Sequence, residues 1–118
     1  MKLTHENKIA VLKLHLAIAF VDNNYSAEEE KFIGKLCKKF EIDFKTRVLI
    51  TKEISSSKKS MPEICREELK RIQSKDLQKE CLTTLAQLCA ADFMIYEDEL
   101  LLLQLVAEEW GMYKKESD

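Results

Sequence analysis

Glycine and proline are nearly missing from this chain: Gly34, Gly111 and Pro62 are the only ones in 118 residues. A turn-rich β architecture needs far more of both, so the composition points to helices. Two isolated glycines also exclude the Gly-rich loops that cradle nucleotide phosphates. Histidine is scarce as well, and neither His5 nor His15 pairs with a serine or cysteine in a nucleophile signature. The four cysteines, at 37, 65, 81 and 89, form no C-x-x-C pair and no metal-ligand spacing. They read as reduced thiols that pack as small hydrophobes. Long hydrophobic runs are absent: AIAFV and LLLLQLVA are too short to span a bilayer. No signal-peptide pattern opens the sequence, and a cytoplasmic location is the resulting expectation.

Apolar residues make up 46% of the chain and charged residues 34%, which suits one helical domain over residues 1–118. The net charge of −2 conceals a segregation. Residues 31–79 carry 14 Lys/Arg against 7 Asp/Glu, whereas residues 80–118 carry 2 against 9. Lys31, Lys35, Lys38 and Lys39 share a helix face. That face reads as solvated rather than as a nucleic-acid contact, because no aromatics or arginines are interleaved with it. No nucleic-acid partner and no membrane span are expected.

Helical periodicity runs through almost the whole sequence. Residues 5–21 are apolar on nearly all sides, the mark of a central helix. Residues 26–41 are amphipathic, with Phe32, Ile33, Leu36, Cys37 and Phe40 inward, and they open on the S-x-x-E capping box Ser26–Glu29. Asp43 caps a third helix to about Ile54, and the SSSKKS run at 55–60 reads as a linker. Ser60, with Pro62 in the first turn, starts a helix to about Gln73. Ser74 caps the next, to about Ala91, and the last runs from about Glu97 to Trp110 with Gly111 at C′. The expected fold is a compact all-α bundle of about six helices.

Residues 9–42 laid over 79–112 give a weak internal repeat, which suggests two related helical hairpins. Within it an acidic turn recurs, D-x-x-[apolar]-x-x-x-E, as Asp22 to Glu29 and again as Asp92 to Glu99. Tyr25 and Ile95 are expected to tuck inward and fix each turn. The acidic pairs Glu28–Glu29 and Asp98–Glu99 fall in first helical turns, where the helix dipole favours negative charge. Neither loop is an EF-hand: Ala27 stands where glycine is required, and Ile33 and Leu103 occupy the position of the bidentate acid. A structural reading remains open, in which Glu29 completes a capping box and Asp22 and Asp92 close local turns.

The stretches AIAFVDNNYSAEEE and LCAADFMIYEDEL resemble the paired A-D-G-x-I-x-x-x-E signature of TerB-like domains, known from tellurite-resistance proteins and DjlA-type co-chaperones. The resemblance covers essentially the whole chain. It implies a compact helical, non-enzymatic module of stress-response type, binding a divalent cation (calcium, magnesium, manganese or zinc) through Asp22, Glu29, Asp92 and Glu99. Glu28 and Asp98 are neighbours of that set. The chain departs from the signature at the glycine, which is Asn23 in one copy and Phe93 in the other. His15, two turns before Asp22, is a further candidate ligand, although its repeat partner Leu85 favours a packed histidine. The alternative is a protein-interaction or homodimer module whose acids are structural. Its support is the leucine run at 100–103, which cannot all face inward, together with Leu105.

Overall fold

Thr4 starts the first helix by accepting the Asn7 N–H at 3.0 Å, and short polar side chains open four of the other five in the same way. In the computed structural model, which describes residues 3–21, 25–91 and 96–112, the helices are α1 (His5–Phe20), α2 (Ala27–Lys39), α3 (Phe44–Ser56), α4 (Met61–Leu69), α5 (Lys75–Cys89) and α6 (Glu97–Glu109). Ser26, Asp43, Ser60 and Ser74 each accept a backbone N–H three residues on, so the four caps read from the sequence are all in place. Each such cap stabilises its helix by about 1 kcal/mol. No strand occurs among the described residues, and the fold is all-α.

α1 is the core. From Ala10 to Ala19 every residue except Lys13 is buried, and the helix packs against all five others. Lys13 escapes by reaching Glu53 on α3 at 2.9 Å. The outer helices supply one apolar stripe each: Ile33 and Leu36 from α2, Ile50 and Ile54 from α3, Ile64 and Leu69 from α4, Leu85 and Leu88 from α5, Leu102 and Val106 from α6. Phe32 and Leu82, which the periodicity places inward, lie only half-buried at the edge.

Two helix ends differ from the periodicity. The fourth helix stops at Leu69 rather than near Gln73, because the chain turns at Lys70 and Arg71 to drive Ile72 into the core. The freed carbonyls find partners: Trp110 Nε1 donates to Leu69 O at 3.0 Å and Gln78 Nε2 to Ile72 O at 2.8 Å. The third helix runs on into the serine stretch, where the Ser56 hydroxyl donates back to Lys52 O at 2.7 Å.

α2 and α6 end alike. Ile42 N–H returns to Cys37 O and Met112 N–H to Ala107 O, with Glu41 and Gly111 in left-handed conformation at φ 55 and φ 69. This is the Schellman termination, and glycine suits it where glutamate does not. Glu41→Gly should therefore raise stability by about 1 kcal/mol at most, less the entropy that glycine adds to the unfolded chain. Chemical denaturation of the two proteins measures it.

His15 is wholly buried, and both ring nitrogens are engaged, Nδ1 with Val11 O at 2.7 Å and Nε2 with the Thr84 hydroxyl at 2.8 Å. Burial lowers its pKa to about 4, against a backbone hydrogen bond that raises it. A packed histidine, not a ligand, stands here. The unfolded chain binds a proton near 6.5 that the folded chain refuses until about 4, so stability falls as pH drops through that window. The loss is on the order of 3 kcal/mol. Thermal unfolding between pH 7 and pH 4 should show this slope, and His15→Leu should flatten it.

Candidate functional site

The capping box at the start of α2 is complete: Ser26 N–H donates to Glu29 Oε1 at 3.0 Å, and Glu29 N–H donates to Ser26 Oγ at 3.1 Å. This satisfies two helix-end donors, and it also pulls the Glu29 carboxylate inward, to 1% exposure. Glu99 holds the same place in α6, three residues past the N-cap, and is likewise 1% exposed. Here the N-cap is Tyr96, which offers no side-chain hydrogen bond to the helix. A capping serine therefore accounts for the burial of the first carboxylate and not of the second.

Both carboxylates act electrostatically on one thiol. Cys89, the last residue of α5, has its thiol pushed up to about 12, first by burial and then by the negative charges of Glu99 and Glu29. α5 packs against both α2 and α6. Each of the two helix starts also carries three acids in its first turn: Glu28, Glu29 and Glu30 in α2, and Glu97, Asp98 and Glu99 in α6.

Not all of these acids are available to a ligand. Glu30 accepts the Tyr25 hydroxyl and a guanidinium N–H of Arg47, which closes the first turn onto α3. Tyr25 stacks edge-on to Phe20 at 4.7 Å and is half-buried, so it fixes the turn as its apolar position requires. Burial and the neighbouring Glu30 hold its hydroxyl above the ordinary range. Glu28, Glu97 and Asp98 point to solvent. Asp22, Asp92, Ile95 and the departures from the signature at Asn23 and Phe93 lie outside the described residues.

Among the described residues no group of three or more His, Cys, Asp and Glu gathers closely enough to hold a metal ion. Glu29 and Glu99 provide two oxygen donors, and a cation here would need others from Asp22 or Asp92. The donor chemistry is that of a hard ion. Zinc favours His nitrogen and Cys thiolate, and His15 is committed to Val11 and Thr84, so the donors at the two helix starts are carboxylate oxygens. Periodicity places Cys89 at an apolar, packed position of its helix, where it is buried, and gives it no part in a site; the alignment of the two halves pairs it with Ala19, another small buried residue.

All four thiols are buried and all four are pushed above the ordinary range by burial, Cys65 to about 12 like Cys89. The native protein at pH 8 should therefore leave Ellman's reagent essentially uncoloured, and guanidinium should release four equivalents. A fast-reacting native thiol would contradict the packing described. Comparison with family models, with curated proteins and with solved structures gives no match for this chain.

Proposed function

We propose that this chain is a small non-enzymatic module of the TerB-like type whose paired acidic turns together hold a hard divalent cation. The observation that carries the reading is the pair Glu29 and Glu99: each is buried in the first turn of its helix, and the charge of each acts on the same thiol. Two carboxylates brought together inside a protein repel, and a divalent ion between them turns that repulsion into binding. Calcium, magnesium and manganese suit an all-oxygen set better than zinc does. The stress-response role that the resemblance implies would then be that of a cation-sensitive adaptor. No part of the site supplies a nucleophile beside a base, so the reading assigns no reaction.

Isothermal titration of the protein with each chloride salt tests it. One of the three hard cations should give saturable heat and a concentration-dependent rise in melting temperature, about 2.7 kcal/mol of stabilisation at a hundredfold excess over Kd. Glu29→Gln with Glu99→Gln should weaken that binding at least about tenfold while keeping the cap, because glutamine still offers Oε1 to Ser26 N–H. Asp22→Asn with Asp92→Asn should do the same. No heat and no thermal shift with any of the ions would refute the reading.

A further inference from the structure

Among the described residues four large hydrophobic side chains are left exposed, on two helices: Phe44 and Leu49 on α3, Leu100 and Leu101 on α6. The two places carry opposite charge. Phe44 forms one wall of an apolar groove of about 420 Å³ between α2 and α3, whose rim is Lys31, Lys35, Lys38 and Arg47. Arg47 is paired with Glu30, but the three lysines make no ion pair among the described residues. The groove's floor is Gly34. A Cβ there would meet nothing nearer than the Arg47 guanidinium at 3.5 Å, so no packing inside the chain requires glycine at that position. A glycine inside a helix costs about 1 kcal/mol relative to alanine, and the side chain it lacks leaves the groove open.

The other place is a convex helix face. Along α6, Glu97, Leu101, Gln104 and Glu108 fall on one stripe with Leu100 beside it, so an apolar patch is bracketed by carboxylates at both ends. α6 holds five acids and no basic residue, and none of the exposed ones makes an ion pair among the described residues. The lysine stripe is about two helical turns long and the acidic stripe about three, so one can lie along the other.

We propose that the α2–α3 groove receives α6 of a second copy of this chain, in a head-to-tail contact. Leu100 and Leu101 enter the groove over Gly34 against Phe44, and Glu97 and Glu108 face the lysines. The same surfaces remain free at the two outer ends of such a pair, so the contact is heterologous and can repeat into a ring or a filament. The acids buried at the cation site take no part, which makes the inference independent of the proposed function.

Sedimentation at rising concentration and low salt tests it. The wild-type mass should climb above that of the monomer, and raising salt from about 0.05 M to about 0.5 M should push it back down. Lys35→Glu with Lys38→Glu disables the groove, and Leu100→Ser with Leu101→Ser disables the α6 face. All four residues are exposed, so the fold is spared, and circular dichroism checks this. Each variant alone should stay monomeric, its self-association weakened at least about tenfold. An equal mixture of the two should form a one-to-one dimer and stop there, because one intact groove meets one intact α6. A wild type monomeric throughout, variants that still self-associate, or two monomeric variants that fail to pair would each overturn the proposal.

Discussion

The burial of α1 is the constraint on which the rest of this structure depends. A helix that is apolar on all sides has no solvent face, so each of the five other helices must give it a stripe. Nothing else in the chain demands so much: the outer helices are amphipathic and would be satisfied with one neighbour each. α5 packs on α1 and also on α2 and α6, and Cys89 at its end lies within the electrostatic reach of Glu29 and Glu99. The burial of those two carboxylates is a consequence of core packing before it is anything else.

Burying those two carboxylates carries an energetic difficulty. A buried carboxylate loses its hydration, and only well-placed donors or an opposite charge make up the loss. The N-terminus of a helix supplies part of what is needed, through N–H groups and the helix dipole. For Glu29 the capping box shows how, since its carboxylate bonds the Ser26 N–H. Helix dipoles contribute at most about 2 kcal/mol each, however, and each of these two carboxylates is within electrostatic reach of the same thiol. A bound cation is the term that would act on both at once, which is why the pair bears on function and the capping alone does not.

Local features were legible from the sequence because their causes are local. Ser26, Asp43, Ser60, Ser74 and Gly111 each act within three or four residues, and each stands where its chemistry places it. The uniform apolarity of residues 5–21 likewise announced the central helix. What failed to show was tertiary. The stop at Leu69 depends on Trp110 and Gln78, far along the chain, which take up the freed carbonyls. The sharing of Cys89 by Glu29 and Glu99 could not be read from two turns seventy residues apart, since spacing along a chain does not fix distance in space. His15 is intermediate: its alignment with Leu85 indicated packing, and Thr84 and Val11 supply the reason. The leucine run divides as one amphipathic face must, with Leu102 buried, Leu103 at the edge, and Leu100 and Leu101 outside.

The same division leaves a charge problem that the monomer does not resolve. Of the ion pairs among the described residues, Lys39–Glu80 alone links the basic stretch 31–79 with the acidic stretch that follows. The remaining pairs tie α1 to its neighbours, join Arg47 to Glu30 at the start of α2, or close within the basic stretch itself. Exposed ion pairs contribute little individually, about 1 kcal/mol or less, so segregated charge does not by itself hold two molecules together. Its effect is on encounter and orientation: opposite faces approach faster and in a defined register, and added salt removes that advantage. Affinity has to come from apolar contact. Phe44 and the open floor at Gly34 on one side, with Leu100 and Leu101 on the other, are the exposed groups able to provide it. Charge then selects which of these apolar faces meet, and like faces, each of one sign, are kept apart.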